Sequence, residues 1–456
     1  KTSDDKKGKG KTSEKKAEPK KEDLKPIEID FEELEHMKAR LTVHSSALAG
    51  ALVHPKGDKL YYLARFEKGL NLWVTDFKEK ETKMLAKLDA GGAGDMYFDK
   101  EGKHIFLLVD GKVMKIETES GKATPVAFSA GMTLNRAAER NYIFDHAWRQ
   151  VLKKFYRTDL HGVDWDFYRK EYEKFLPHIN NNHDFKDMLS ELLGELNASH
   201  TGAGYRYSTP NADKTAALGL FIDHSYTGKG IKIAEIIKKG PLDKKESKIK
   251  AGDIIERING EDIKHTEDFY RLLNLTADKN TLLSVKQSSA SIDEIVKPIS
   301  MEAENELVYK RWVENRRKEV ERLSGGKIGY VHVRGMNDPS FRVVYVVALG
   351  RNAEATDIII DTRFNGGGWL HDDLATFFSG KRYVTIEPRG QYLGEEPTRK
   401  WTKPSVVLMG ESNYSDAHFF PYTYKTLGIG KLIGMPVPGT ATAVWWETQV
   451  DPTLYF

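Results

Sequence analysis

Short runs of alternating apolar and polar residues, broken by Gly, Asp and Lys, occupy positions 40–130. Runs with a period of two predict antiparallel strands. Turn and strand recur about 45 residues apart, in HPKGDKLYYL (54–63) and FDKEGKHIFLL (98–108), and this period is typical of a propeller blade. Because two blades cannot close a ring, the pattern predicts the end of a β-propeller over 40–130, with its upstream blades missing from this sequence.

Between 133 and 212 the apolar residues recur with a helical period, and Asp164 and Asp184 are candidate N-caps. The three apolar stripes predict helices that pack through these faces as the core of a helical subdomain, rather than contacts to a cofactor. The stripes are Ile143, Ala147, Trp148, Val151, Leu152 and Phe155; Trp165, Tyr168, Tyr172, Phe175 and Leu176; and Phe185, Met188, Leu189, Leu192, Leu193 and Leu196.

Strands return over 216–300, with two short helical pieces, one of them at Thr266–Leu273. A helix over about 302–323 then leads into strands that alternate with helices. This alternation predicts a parallel or mixed sheet with helical cover, so the fold class is multidomain α+β with an α/β domain over 302–456. Its predicted strands are Ile328–Val333, Asp357–Asp361, Ser405–Met409 and Lys431–Ile433, and its helices are 339–353, 370–379 and 415–427.

Composition and charge exclude several classes of protein. Hydrophobic residues make up 39% of the 456 positions, which is enough for folded cores, whereas 1–26 is rich in Lys and predicts a disordered linker. Outside that linker 60 basic residues face 61 acidic ones, so nucleic-acid binding is not expected. No run approaches the ~18 apolar residues of a membrane span. The absence of cysteine excludes disulfides, thiolate metal sites and a cysteine nucleophile in this sequence.

A candidate nucleophile lies in GESNYSDAHFFPYTYKTLG (410–428), where a predicted strand gives way to a helix. Ser415 stands at this junction, near the positive end of the helix dipole and near backbone N–H groups that can stabilise an oxyanion. Serine is also a common N-cap, so the local sequence allows either a helix cap or a nucleophile.

Three glycines, 366–368, follow a predicted buried strand in IIIDTRFNGGGWLHDD (358–373). Consecutive glycines let backbone N–H groups approach a ligand closely. A phosphate-binding loop is poorly supported, because no Lys-Ser/Thr follows and the spacing fits neither common nucleotide fingerprint. A cradle for an oxyanion or a peptide backbone fits better, and a plain tight turn stays open as the alternative.

A serine nucleophile needs a base, which is usually histidine. Among fourteen histidines, His200 differs because it follows Ser199 in a loop between the third predicted helix and a Gly-rich strand. A single histidine in a loop is more often incidental than catalytic, and spacing alone does not bring His200 to Ser415.

In order along the chain, the helical segment, the Ser199–His200 pair, a PDZ-like segment and the motifs at 361–368 and 413–434 resemble the catalytic half of the tricorn-type serine peptidases. The resemblance covers about 40–456 and implies a crotonase-like α/β fold for 302–456. It also implies a role for each candidate residue: Ser415 as the nucleophile, His200 as the base, Ser199 as the group that orients the imidazole, and the N–H groups of Gly368 and Asp416 as oxyanion donors.

The sequence departs from this family beyond Ser415. The family completes a tetrad with a Glu located past the point where this sequence stops, at Phe456. We therefore expect a domain truncated at its C-terminus and a poor catalyst. The related carboxyl-terminal processing peptidases use a Ser–Lys dyad, but Thr440 stands about where their Lys would be and Lys431 comes too early, which favours Ser–His chemistry.

Within 216–300, LGLF (218–221) resembles the carboxylate-binding loop of PDZ domains, and IKAGDIIERINGEDI (249–263) matches their strand–turn–strand core. The resemblance implies exposed N–H groups at Gly219, Leu220 and Phe221 that bind a peptide C-terminus by strand addition. The alternative is a module that only braces the catalytic domains.

The sequence thus predicts a serine peptidase that hydrolyses oligopeptides through an acyl-enzyme, without a metal or organic cofactor. A non-catalytic peptide-binding scaffold is the alternative function. The expected partners are peptides and further copies of the chain in a homo-oligomer, with no nucleic acid. The expected location is cytoplasmic, or periplasmic if a signal peptide has been removed.

Overall fold

The structure is a computed structural model that describes residues 31, 40–42, 46–66, 68–264 and 267–456. The described residues form two compact units, one that ends at Thr133 and one that begins at Leu134. The predicted linker over 1–26 lies outside the described residues. Among the residues described, no helix is long and apolar enough to cross a lipid bilayer.

The first unit contains two antiparallel sheets, each with four strands in chain order. Alternate residues of these strands, among them Tyr61, Leu63, Leu72 and Ile105, are buried in an apolar core. The prediction of strands from the period-two pattern is therefore confirmed. The strands are β1 (Ala47–Val53), β2 (Lys59–Phe66), β3 (Gly69–Asp76), β4 (Glu81–Ala90), β5 (Ala93–Phe98), β6 (His104–Val109), β7 (Lys112–Glu117) and β8 (Ala123–Pro125).

The second unit begins with helices α1 (Arg136–Lys154), α2 (Trp165–Glu173) and α3 (Asn182–Gly194). Their N-caps are Asn135, Asp164 and Asn181, each of which accepts a hydrogen bond from a backbone N–H. Asp164 is thus confirmed as a cap, whereas Asp184 lies inside α3 and donates its N–H to Asn181. Most members of the predicted stripes share one core, but Leu152 and Phe175 are exposed.

A mainly antiparallel β module follows, in which β11, β12, β13, β15 and β16 lie side by side and β14 pairs with β13. The predicted helix at Thr266–Leu273 is wrong in type and length, since the structure has only a 3₁₀ turn, Phe269–Leu273, capped by Asp268. The strands are β9 (Gly204–Tyr205), β10 (Ala216–Ala217), β11 (Leu220–Ile222), β12 (Ile231–Ile236), β13 (Ile254–Ile258), β14 (Glu261–Asp262), β15 (Thr281–Lys286), β16 (Ser291–Val296) and β17 (Ile299–Ser300).

The last part of the chain is an α/β layer around a parallel sheet of β18, β19, β22 and β23, in that order. Strands covered on both faces are continuously apolar, as β19 is at Ile358–Ile360. The strands are β18 (Ile328–His332), β19 (Asp357–Asp361), β20 (Val384–Ile386), β21 (Gly394–Glu396), β22 (Ser405–Met409), β23 (Lys431–Gly434) and β24 (Leu454–Tyr455), the last paired with β9. The helices are α4 (Met301–Ser324), α5 (Asp338–Val346), α6 (His371–Phe378) and α7 (Asp416–Thr426).

These strands and helices confirm the predicted alternation. The glycine loop follows β19, and the Ser415 turn follows β22. Because β19 and β22 are parallel neighbours, their carboxyl ends lie at the same edge of the sheet, where open α/β sheets bind ligands.

Candidate active site

Ser415 occupies the turn between β22 and α7 in a strained backbone conformation, with φ 55° and ψ −124°. Its side chain makes no capping hydrogen bond to α7, and its own N–H donates to Thr440 Oγ1 at 3.0 Å. The helix-cap interpretation is therefore wrong. A partly exposed serine hydroxyl on a strained strand-to-helix turn is the geometry of an available nucleophile.

The glycine loop lies directly against Ser415. A Cβ built on Gly367 would lie 2.6 Å from Ser415 Cβ, and one on Gly368 would lie 2.0 Å from the carbonyl oxygen of Met336. Both glycines also have positive φ, 100° and 140°. Only glycine allows this approach, so the loop is more than a generic tight turn.

Two backbone N–H groups beside Ser415 are open. The glycine loop pairs with Met336 through two backbone hydrogen bonds. The Met336 N–H donates to the Gly367 carbonyl at 2.9 Å, and the Trp369 N–H donates to the Met336 carbonyl at 2.7 Å. The N–H of Gly368 takes no part in this pairing, and within the described residues neither it nor the N–H of Asp416 has a hydrogen-bond acceptor. Unpaired donors of this kind can bind an oxyanion.

The side chain of Asp416 links the segment that follows the glycine loop to α7. Its buried carboxylate accepts hydrogen bonds from the N–H groups of Leu370 and His371, the second at 3.1 Å, and also contacts the imidazole Nδ1 of His371. The carboxylate therefore ties the end of the glycine loop and the start of α6 to the start of α7. Sequence reasoning had considered only the backbone N–H of Asp416.

His200 is held at the site by hydroxyl groups. Its Nδ1 lies 3.1 Å from Ser199 Oγ and 3.3 Å from Thr442 Oγ1, and these two hydroxyls also hydrogen-bond to each other. The His200 N–H donates to the Tyr414 hydroxyl at 2.8 Å, and the two rings lie 4.7 Å apart. Ser199 therefore contacts the imidazole as expected, and Nε2 has no hydrogen-bond partner among the residues that the structure describes.

His200 contacts Tyr414, the residue that precedes Ser415. Within the described residues, no hydrogen bond joins the side chains of His200 and Ser415. Such bonds are often long without substrate and tighten when it binds. Burial lowers the pKa of His200, which keeps the imidazole neutral and able to accept a proton. A cavity of about 580 Å³ adjoins it, lined by Phe155, Leu193, Ser199 and Trp445, among others.

Tyr414, Thr440 and Thr442 are site residues that sequence reasoning missed. Tyr414 directly precedes the candidate nucleophile, and Thr440 stands about where related peptidases have their Lys, so each of the two had a signal in the sequence. The two threonines follow β23 in a stretch without a local pattern, and only the fold shows that Thr440 contacts Ser415 and Thr442 contacts His200. Among the described residues, no group of three or more His, Asp or Glu side chains is arranged to hold a metal ion.

The PDZ-like loop differs from expectation at Gly219. This residue is buried and its N–H donates to the Glu304 carboxylate at 2.8 Å, so the prediction of an exposed N–H there is wrong. Leu220 and Phe221 lie on β11, which has β12 as its hydrogen-bonded neighbour and forms an edge of the described sheet.

Family models match three parts of the chain. Residues 136–194 match the tricorn protease C1 domain, residues 208–283 the PDZ domain, and residues 327–455 peptidase family S41. The molecule is therefore a mixed α/β multidomain chain with PDZ and S41 peptidase domains.

Curated relatives confirm the resemblance to tricorn-type peptidases. A putative tricorn-like protease C-terminal subunit of Sulfurisphaera tokodaii is 27% identical over 65% of this chain and 35% of its own length. Tricorn protease homolog 1 of Streptomyces coelicolor is 27% identical over 76% of this chain and 34% of its own. The chain thus spans about a third of the length of these relatives.

A solved structure described as the crystal structure of the tricorn protease has the same fold over most of this chain. The TM-score is 0.74, with 20% sequence identity, over 87% of this chain and 40% of that one.

Proposed function

We propose that the chain is the catalytic part of a serine peptidase that hydrolyses oligopeptides. The observation that carries the proposal is Ser415, whose uncapped hydroxyl lies on a strained turn beside two open N–H groups. A non-catalytic scaffold would need neither the strain nor the unpaired donors, so that alternative is not favoured.

In the proposed reaction Ser415 Oγ attacks the scissile carbonyl carbon while His200 Nε2 takes the hydroxyl proton. The N–H groups of Gly368 and Asp416 stabilise the oxyanion. Collapse of this intermediate breaks the C–N bond, and His200 gives the proton to the leaving amine. Water then attacks the acyl-ester with His200 again as the base, which releases the carboxylic acid and restores Ser415.

Ser199 and Thr442 would orient the imidazole through Nδ1, as their contacts to that nitrogen support. No carboxylate hydrogen-bonds to Ser199 or His200 among the residues described.

The proposal also covers the fold type of two parts of the chain, its oligomeric state and its location. The two four-stranded sheets of the first unit are proposed as propeller blades, and the sheet of β18, β19, β22 and β23 as a crotonase-like domain. Assembly into a homo-oligomer and a cytoplasmic or periplasmic location stay predictions.

Labelling with a fluorescent fluorophosphonate tests the function, because this probe forms a covalent bond with an activated serine. We expect labelling of the wild-type chain and none of Ser415→Ala. Ser412→Ala is the matched control, since Ser412 is exposed in the same loop, three positions earlier. Equal labelling of Ser415→Ala and the wild type would refute the assignment.

A further inference from the structure

The carboxylate of Glu304 lies in the loop that PDZ domains use to bind carboxylates. Its Oε1 accepts the Gly219 N–H at 2.8 Å, and the N–H of Leu220 adds a weaker interaction. Burial raises the pKa of Glu304, and these two N–H groups partly oppose the rise. The loop thus does bind a carboxylate, but one that belongs to the chain itself.

Helix α4 holds Glu304 in that position. Ser300 caps the helix by accepting the Ala303 N–H at 3.2 Å, one residue before Glu304. Two turns further on, Arg311 forms an ion pair with Glu235 of β12 and lies 4.9 Å from the centre of the Phe221 ring. The Arg311 contacts therefore attach α4 to β11 and β12, and the Ser300 cap fixes where the helix begins. A carboxylate delivered within one chain has a high effective concentration, which a free peptide must overcome.

Within the described residues, the hydrogen bonds of Glu304 go to the carboxylate-binding loop of the PDZ-like module and not to the remainder of β11. A cavity of about 190 Å³ lies at the Ile222 end of β11, lined by Phe269 and Tyr270 and also by charged side chains such as Asp223 and Lys232. In the part of the chain that the structure describes, β11 pairs with β12 alone, so its outer edge is available for strand addition. The module therefore has a strand edge without a strand partner among the described residues, and its carboxylate-binding loop is occupied by Glu304.

We propose that Glu304 is a tethered occupant of a carboxylate site, and that the site binds the free C-terminus of a peptide only when Glu304 leaves it. The module is then closed to peptides in the state seen here and braces α4. It becomes a peptide receptor when α4 shifts. This inference concerns binding at the PDZ-like module and does not depend on the proposed peptidase activity.

The test measures binding of a fluorescein-labelled hexapeptide ending in Ala-Val, with either a free carboxylate or a C-terminal amide. All proteins carry Ser415→Ala so that the peptide is not cleaved. We expect Glu304→Ala to bind the free-carboxylate peptide at least tenfold more tightly than the parent does, and tenfold more tightly than it binds the amide. Glu302→Ala is the matched control in the same helical turn and should behave like the parent.

Equal affinity of the parent and Glu304→Ala for the free-carboxylate peptide would overturn the proposal, and so would an equal affinity of Glu304→Ala for the two peptides. A second measurement needs no Glu304 variant. Amide exchange at 218–222, followed by mass spectrometry in the parent, should not change with millimolar free-carboxylate peptide. Protection of that segment by the peptide would show an open site and contradict the inference.

Discussion

At the scale of single residues, the site depends on a backbone conformation that its side chain disfavours. A non-glycine residue at the φ of 55° seen at Ser415 costs about 1–3 kcal/mol. Such strain persists only where the surroundings impose it, here the Thr440 hydroxyl on the Ser415 N–H and the glycine loop packed against the Ser415 Cβ. The hydroxyl is thus kept available at the expense of stability.

Ser415→Gly should therefore stabilise the chain while abolishing peptide hydrolysis. Glycine relieves the positive φ, and we expect the free energy of unfolding to rise by about 1 kcal/mol after the added backbone entropy is subtracted. Ser415→Ala removes the hydroxyl but keeps the strain, so it should be equally inactive without the gain. Urea unfolding of the wild type, Ser415→Gly and Ser415→Ala gives the free energy of unfolding of each. Equal unfolding midpoints for the two variants would show that the turn is not strained.

The hydroxyls on His200 Nδ1 predict a graded response to substitution. His200→Ala should lower the acylation rate by about 10²–10⁴-fold, because a general base contributes about that factor. Ser199→Ala should have a smaller effect, since Thr442 Oγ1 stays 3.3 Å from Nδ1. Single-turnover kinetics of these variants and of Ser199→Ala/Thr442→Val provide the check. If the double variant lost no more than Ser199→Ala, Thr442 would have no part in orienting the ring.

At the scale of secondary-structure elements, the glycine loop and α7 are held in contact with each other. The loop reaches Ser415 only because Gly367 and Gly368 lack side chains, and the Asp416 carboxylate then holds the start of α6 against α7. The oxyanion donors are therefore positioned by packing between elements rather than by either element alone.

Gly368→Ala should abolish fluorophosphonate labelling. The new Cβ would meet the Met336 carbonyl oxygen at 2.0 Å, at a φ of 140° that alanine rarely adopts, so the loop must move away from Ser415. Gly366→Ala is the matched control, because a Cβ added at Gly366 would have no atom within 4 Å. Labelling rates give the comparison, and retention of the wild-type rate by Gly368→Ala would remove its N–H from the mechanism.

The sequence predicted elements better than it predicted contacts. The parallel strands and their helices follow from apolar runs of distinct period, and the Ser415 turn follows from their order. A helix was predicted where the structure has the 3₁₀ turn Phe269–Leu273, because a short apolar run does not distinguish a helix from a turn. Glu304 could not have been foreseen as the partner of Gly219, since 85 positions separate them and no local pattern joins them.

At the scale of the whole molecule, burial of histidines makes stability depend on pH. The pKa values of His200, His332 and His418 are all lowered by burial. His332 is the most buried of the three: its Nε2–H donates to the Arg363 carbonyl at 3.0 Å, and Nδ1 hydrogen-bonds with the Tyr309 hydroxyl at 2.9 Å. Protonation would place a charge on this buried ring, away from water.

The free energy of unfolding should therefore rise with pH through the region below about 6.5, the ordinary histidine pKa. The unfolded chain binds more protons there, so the stabilisation is complete above that pH and is lost as the pH falls through the folded-state pKa values. Urea unfolding at pH 5.5, 6.5 and 7.5 measures the slope.

Because the raised pKa of Glu304 acts in the opposite sense, the decisive quantity is the difference between wild type and His332→Gln. We expect a smaller slope for His332→Gln, and His178→Gln, at an exposed position, serves as the control. Identical slopes for wild type and His332→Gln would contradict the prediction.

Pattern supplied the elements and the candidate residues, whereas resemblance supplied the role of each candidate. Periodicity alone left Ser415 as a cap or a nucleophile and His200 as an incidental loop residue, because the contacts that distinguish these roles form only in the folded chain. The hydroxyls of Tyr414 and Thr442 reach His200 across 214 and 242 positions of sequence, a distance over which no spacing rule applies.

The double use of Asp416 also limits how such sites can be recombined. Its N–H is one open donor, and its carboxylate secures the loop that presents the other. The positions of both donors therefore depend on one residue, although the sequence separates Gly368 from Asp416 by 48 positions. A chimera that takes its glycine loop from one peptidase and its nucleophile turn from another would keep every catalytic group and still lose their spacing, unless the side chain at position 416 came with the loop it holds.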